Sequence, residues 1–559
     1  MSEETSLVLY TDCKLGRNTY TTQRRVMAAA GFDILPPWRL LREKQRAITP
    51  KILQLPSNFT GVYFNLIEAL QITISRILET LSTDETQLTD LNLNCKFGFD
   101  GSGGHSIFNQ LNNDETNNLI ISIVCPLEIK DANAGLLWTE PSPNAPKSQR
   151  PVMLQTGKES EETLQSLKLF NDDITKAETE GFNIDLANNE AVNVKSKIVS
   201  YCLDRKAANI LLGLGGAYCD LCELSKQECL DIDTIKKGIL ITRDIDSIHK
   251  IFEDHQQEDG TVRRNVNDYD TRAGVTQRPI ATNQVFSTQV LHALMRSCDL
   301  YMKIAVHLIA GVFDWTESKT SRSRRFLDKA KKDLQEKIKV KTGIRWDYAD
   351  GTGSSGTTTT GNICRRLLHD STVRKLVTEE IPIAHRNTME ILGQRLSIIL
   401  RILSSKELVN IELYKQYCID TNVFLINQFP RVYDKNLPGP WISITPTVHK
   451  VLAHSWELIK HNNSCGLANL DESGLEGCNK IVRCVRKTLS RKTSQQDNLI
   501  DTLNRMWLAS DPVVNHKRLS GKPFCKNCKI LGHHTRYCPE KNFFRVENEE
   551  DTLFKSLCL

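Results

Sequence analysis

The sequence predicts a mixed α/β core that carries a large, mainly helical insertion, with a helical segment before it and a zinc knuckle after it. Three observations predict this. Two strand-like apolar runs, "LNLNCKFGFDGSGGHS" and "NNLIISIVCPLEI", stand early in the chain. From about residue 230 to 460 apolar residues recur mainly at helical spacing. Near the end, "CKNCKILGHHTRYC" has the spacing of a metal-binding knuckle.

Composition bounds the rest. The 559 residues are 40% hydrophobic and 25% charged, as in an ordinary folded protein with material for a core and for several domains. A net charge of +5 is mild over this length, so a nucleic-acid surface would be local. No charged-then-apolar leader opens the chain, and no apolar run reaches the roughly 18 residues of a membrane span. "LHALMRSCDLYMKIAVHLIAGVFDW" comes nearest, but Arg296, Asp299, Lys303 and His307 interrupt it, so it reads as a buried helix. Seventeen cysteines without a framework point to a reducing compartment, with some of them on metal. The expectation is a soluble intracellular protein with no membrane partner.

Taken in order, residues 18–48 read as two short helices broken at Pro36-Pro37, with Arg24, Arg25, Arg39, Arg42, Lys44 and Arg46 facing outward. "FTGVYFNLIEALQITISRILETL" (59–81) has helical spacing and reads as core. The two apolar strands follow, the second as expected in a covered sheet. The polar stretch 139–192 reads as an insertion or linker. "KSKIVSYCLDRKAANILLGLGG" returns to strand and then helix. Within the helical block, "GTGSSGTTTTGN" (351–362) is a loop of low helix propensity. Basic helices are expected at 320–341 and 479–492.

The chemistry is expected at three acids. Phosphoryl-transfer sites on nucleic acid use two Mg²⁺ or Mn²⁺ ions roughly 3.5–4 Å apart, and such hard cations take carboxylate oxygens. Asp100 ends a strand in "FGFDGSGGHS", Asp204 ends another in "VSYCLDRKAAN", and Glu476 begins a helix in "DESGLEGCNKIVRCVRK". Two strand-end aspartates and a helix-borne glutamate can converge at one sheet edge, as in an RNase H-like fold. Each acid alone is weak evidence, since acids beside glycine are usually turn residues. Only the set has force.

In this order the three segments resemble the catalytic subunit of the V(D)J recombinase and the Transib DDE transposases. "FDGSGGHS" resembles the family's first-aspartate motif. "CLDRKAANILLGLGGAYCDLC" is similar to its second, an aspartate strand leading into Cys-x-x-Cys. "HKVLAHSWELIKHNNSCGLANLDESGLEGCNKIVRCVRKTLSR" resembles the stretch with His-x₄-His and the catalytic glutamate. The likeness is colinear over roughly residues 10–510. Glu472 lies close by, and the "EGCNK" ending aligns Glu476. The resemblance implies an RNase H-like DDE core in which Asp100 and Asp204 bridge two Mg²⁺ or Mn²⁺ ions and Glu476 completes the shell. It implies nicking at terminal inverted repeats, hairpin formation by the released 3′-hydroxyl, and joining of ends to target DNA. It also implies a homodimer, an accessory subunit related to the second recombination-activating protein, and a nuclear location.

Two zinc sites are expected. By themselves, Cys219 and Cys222 read as core, redox or metal residues, His449 and His454 as helix surface or ligands, and Cys229 is a competitor. The resemblance joins the first four in one structural zinc site that staples the helical insertion to the catalytic sheet. The terminal knuckle is self-contained: Cys525, Cys528, His533 and Cys538 as ligands, Gly532 for the tight loop, His534 as a rival. Phe524 and Tyr537 are available to stack on bases, and Lys522, Lys526, Lys529, Arg536 and Lys541 to contact phosphates; a protein–protein knuckle is the alternative. This tail resembles that of the transposon-encoded relatives known as ProtoRAG.

Further DNA contacts are expected at Arg24 and Arg25, at Arg365 and Arg366 in "GNICRRLL", and along a stripe of Lys480, Arg483, Arg486 and Lys487. Arg322, Arg324 and Arg325 read equally as an exposed helical face. The family's upstream nonamer-binding region has no counterpart in this sequence.

The expected organisation is a helical dimerisation/DNA-binding segment (1–55), a helical pre-catalytic segment (56–92) and the catalytic core (93–215, with the insertion at 139–192). The Cys half (216–300) and the His half (301–475) of the zinc-binding insertion follow. The catalytic-Glu helix and its C-terminal helical domain (476–520) and the knuckle (521–545) complete it. The competing classes are a non-catalytic zinc-knuckle protein and a nuclease of the same fold that only hydrolyses.

Overall fold

A computed structural model of the chain describes residues 1–81, 88–105, 118–186, 190–215, 218–225, 228–256, 273–283, 285, 287–312, 321–348, 359–429, 444–519 and 549–559. The expected knuckle, including Cys525, Cys528, His533, Cys538, Lys526, Lys529 and Arg536, lies outside the described residues, as does most of the Gly/Thr loop. The fold is mixed α/β. It divides into two compact units: Met1–Leu211 with Ile280–Ser287 and Glu472–Val546, and Leu212–Pro279 with Thr288–Asp471 and Glu547–Leu559.

The first unit is built on an eight-stranded mixed sheet. Its strands are β1 (Ile52–Gln54), β2 (Gly61–Phe64), β3 (Asp90–Ser102), β4 (Leu119–Asp131), β5 (Gly135–Thr139), β6 (Arg150–Thr156), β7 (Phe182–Asp185) and β8 (Ala191–Cys202). The order across the sheet is β1-β2-β6-β4-β3-β8-β7, with β5 paired to β4. β3 and β8 run parallel, and the other pairs are antiparallel. β3 alternates exposed and buried residues at its start and is buried on both faces from Cys95 to Phe99. Phe97 meets Phe170 and Tyr201 edge-on on one face. Gly98 is required by close approach, because a Cβ there would lie 2.5 Å from the Cys202 carbonyl oxygen on β8.

Two expectations change here. The apolar run 59–81 is not one helix: "GVYF" pairs as β2, and the helix Leu66–Leu78 begins only where the Asn65 side chain accepts from the Glu68 N–H. The stretch 139–192 is not a linker. Its short apolar "PVML" forms β6 between β2 and β4, and it also supplies the helix Asn171–Thr179. Flanking polar residues hide a four-residue apolar run that is buried throughout.

The N-terminal helices Glu3–Asp12, Arg17–Ala29 and Trp38–Ala47 share a core of Leu7, Tyr10, Leu15, Tyr20, Leu35, Leu41 and Ile48 with Leu508 and Val514. Trp507 is fully buried, and the Arg150 guanidinium lies 3.4 Å from its ring centroid and donates to its carbonyl at 2.8 Å. These contacts seat the helix Gln495–Ala509 on the sheet.

The second unit is helical among its described residues. The 21-residue helix Val290–Ala310 is mostly buried, as its sequence predicts. No described helix is long and apolar enough to cross a membrane. The C-terminal helix Glu549–Leu557 is held in the same unit by ion pairs of Glu550 with buried Arg374 and of Asp551 with Arg401 at 2.8 Å.

Candidate active site and metal centre

Strand register brings the first two acids together. The last β3–β8 pair is Gly98 with Cys202, so Asp100 and Asp204 each stand two residues beyond it on parallel strand ends. Asp204 then caps the helix Arg205–Leu211: its Oδ1 accepts from the Ala207 N–H at 2.7 Å. Glu476 lies in the first turn of the helix Ser473–Thr488, which packs on β3.

Burial, then the carboxylates of Glu159, Glu476 and Asp204, push the Asp100 carboxyl up to about 7. The opposing contribution is a hydrogen bond from Asn479 Nδ2 to Asp100 Oδ2 at 2.5 Å. Glu472 is 3% exposed and sits at the helix start, and it is Glu476 that bears on Asp100.

Glu159 is the residue that sequence reasoning missed. It follows β6, and its Oε1 accepts from the Gly101 N–H at 2.7 Å, while its carbonyl accepts from Lys206 Nζ at 2.8 Å. A Cβ on Gly101 would lie 2.8 Å from the Glu159 Cγ, so the glycine makes room for the fourth acid. The signal was available: "PVMLQTGKES" repeats the pattern of an apolar strand followed by an acid. Four carboxylates supply hard oxygen donors of the kind divalent cations take.

Around this set the Ser102 hydroxyl donates to Asn479 Oδ1 at 3.0 Å and lies 2.6 Å from His105 Nε2. His105 is 1% exposed, and burial, then Arg486, Arg483 and Lys487, push its pKa down to about 4, leaving the ring neutral at pH 7.

The basic stripe is narrower than expected. At about 100° per residue, Lys480, Arg483 and Lys487 share an arc of about 60° with Glu476, whereas Arg486 stands about 120° from Lys480. Lys480 and Lys487 are exposed, and Arg483 donates to the Gly103 carbonyl at 2.7 Å. Arg486 is 2% exposed and donates to Asn498 Oδ1 at 3.0 Å, so it is a core residue rather than a DNA contact. Arg24 is likewise engaged locally, with the Leu35 carbonyl at 2.9 Å and Asp33 at 3.1 Å, while Arg25 is exposed. In the second unit Arg365 donates to Asn362 at 3.1 Å, and exposed Arg366 donates to the Thr342 carbonyl at 3.0 Å.

The second unit brings Cys219, Cys222, His449 and His454 together. Their potential ligand atoms all lie within 4.8 Å of one another, and no other set among the described residues does this, the carboxylates included. His449 lies in the helix Pro446–Ala453, and His454 joins that helix to Ser455–His461. His454 is 0% exposed, yet neither ring nitrogen has a hydrogen-bond partner. Lys450 beside His449 pairs at 2.7 Å with Asp220 between the cysteines, both buried. Arg243 donates at 2.8 Å to the Cys222 carbonyl. Two thiols and two imidazoles so braced could hold a structural zinc. Cys229 stays close, with Sγ 3.8 Å from His449 Nε2, against 3.4 Å for Cys222.

No protein-family model matches this chain, and no curated protein matches it.

Proposed function

We propose that the chain is a metal-dependent DNA transposase or recombinase of the V(D)J-recombinase/Transib kind, built on an RNase H-like DDE core. The observation that supports the reading is the parallel β3–β8 register that sets Asp100 and Asp204 side by side, with Glu476 in the first turn of a helix packed on β3. Asp100, Asp204 and Glu476, joined by Glu159, would hold two Mg²⁺ or Mn²⁺ ions. Bound there, the ions would supply Lewis-acid activation of an attacking water or 3′-hydroxyl and neutralise charge on the phosphodiester.

The chain's own groups do the rest. Asn479 holds Asp100 in place. Lys480 and Lys487, on the same helical arc as Glu476, are available to phosphates flanking the scissile bond. The terminal knuckle, Cys525 to Cys538, holds the DNA end in this reading, with zinc as its ion. A zinc at Cys219, Cys222, His449 and His454 orders the helical unit. A homodimer acting in the nucleus on paired terminal inverted repeats, with an accessory subunit, completes the proposal.

The test is nicking of supercoiled DNA carrying a terminal repeat in Mn²⁺ by the purified chain, against Glu476→Gln and Glu472→Gln, with and without a candidate accessory subunit. Nicking lost in Glu476→Gln and kept in Glu472→Gln supports the site, and hairpins and joined products support recombination. Nicking without strand transfer points to a hydrolysing nuclease. DNA binding with no nicking in any condition points to a binding protein.

A further inference from the structure

Asp100 is acceptor-only when ionised, so its hydrogen bond to Asn479 can run one way: Asn479 Nδ2 donates. The same amide's Oδ1 must then accept, and it accepts the Ser102 hydroxyl proton at 3.0 Å. With its proton committed, Ser102 Oγ can only accept from His105 Nε2, 2.6 Å away. The direction of every bond follows from the carboxylate at the end of the chain. It requires His105 to carry a proton on Nε2, and burial of the ring at 1% exposure keeps water from substituting for it.

We infer that His105, Ser102 and Asn479 form a directed relay that positions Asp100, holding its Oδ2 and leaving its Oδ1 for the cation. The inference rests on the metal-site reading above. These three are positioning residues, since none is required to touch the reacting atoms. Without the Ser102 hydroxyl, Asn479 Oδ1 loses its donor, and the bond to Asp100 alone sets the amide's orientation. A flipped amide presents Oδ1 to the Asp100 carboxylate, and the two acceptors repel. The relay therefore acts on cation affinity by fixing one amide between two partners. Partners that orient a metal ligand in this way change affinity by about 10–100-fold when lost.

The pattern also explains an otherwise unremarkable spacing. Asn479 lies one turn after Glu476, so a single helix presents an acid and the orienting amide to the same strand end. Ser102 ends β3 and His105 follows three residues later, so the strand and its exit carry the rest of the relay.

The experiment is Mn²⁺ titration of the full, zinc-loaded chain by calorimetry, with thermal midpoints as a check on folding and nicking as a second readout. Ser102→Ala and Asn479→Ala are expected to weaken Mn²⁺ binding by about 10-fold or more while the chain stays folded at the titration temperature. Ser102→Thr, which keeps the hydroxyl, and His105→Gln, which keeps a donor near the place of Nε2, are expected to remain within about 3-fold of wild type, while His105→Ala follows Ser102→Ala. Wild-type affinity in both Ser102→Ala and His105→Ala would overturn the relay while leaving the metal site standing. Equal loss in Ser102→Thr and Ser102→Ala would also overturn it, as packing rather than the hydroxyl would then matter. A wild type whose Mn²⁺ binding does not depend on Glu476 would overturn the site reading as well.

Discussion

Asp100→Asn is expected to stabilise the cation-free protein at neutral and alkaline pH while removing its ability to bind Mn²⁺. The folded-state pKa is raised from 3.8 to about 7 by burial and by Glu159, Glu476 and Asp204. Between those values the folded state holds a proton that the unfolded chain has released, so stability falls as pH rises through the window and stays low above it. At about 1.4 kcal/mol for each pH unit between the two values, the full penalty is on the order of 4 kcal/mol. The amide carries no charge and still offers a carbonyl oxygen to Asn479, so the substitution removes the repulsion and keeps the hydrogen bond. Thermal unfolding of wild type and variant with chelator at pH 8 should give the variant a midpoint higher by roughly 4–8 °C. At pH 4 the gap should close, because wild-type Asp100 is then protonated. Saturating Mn²⁺ at pH 8 should raise the wild type alone. A variant less stable than wild type at both pH values would refute the claim that these acids repel one another.

Four further outcomes follow from the geometry. Cys222→Ser should remove one zinc equivalent per chain and destabilise the helical unit, whereas Cys229→Ser should leave zinc content unchanged; elemental analysis after dialysis against a weak chelator separates them. Arg486→Ala should cost about 1–3 kcal/mol of stability, by losing a buried charged hydrogen bond and leaving Asn498 unsatisfied. Lys480→Ala and Lys487→Ala should leave stability unchanged and each reduce the salt slope of DNA binding by about one; denaturant melts and binding at several salt concentrations read both. Glu550→Ala, which leaves buried Arg374 with Glu390 at 3.7 Å and the Leu368 carbonyl, should cost about 1–3 kcal/mol. Hydrogen exchange should then show lost protection along Glu549–Leu557.

Much of this was legible in the residues because it depends on short-range pattern. Apolar runs forecast β3, β4 and β8, helical spacing forecast the buried helix Val290–Ala310, and the paired prolines forecast the break before Trp38. Asp100, Asp204 and Glu476 were picked out on local pattern, as acids near the end of a strand-like run or at the opening of a helix. What failed did so for local reasons too. β6 is a short apolar run in polar company, and β2 is continuous in pattern with the helix that follows it, so neither stood out until pairing partners decided it.

Only the tertiary structure decided the remainder. The parallel register of Gly98 with Cys202 sets two aspartates side by side, and no local pattern specifies which residues of two distant strands will face. Glu159 joins them because β6 is threaded between β2 and β4, a choice made by long-range pairing. Cys219 and Cys222 meet His449 and His454 across a long loop of chain. Arg486 and Lys487 are neighbours of the same charge. A rotation of 100° about the helix axis nevertheless sends one into the core and the other to water, and what the helix packs against determines which. Sequence alone assigned residue types suited to holding metal and phosphate. Packing chose which of them share a site, because burial and register are properties of the whole fold.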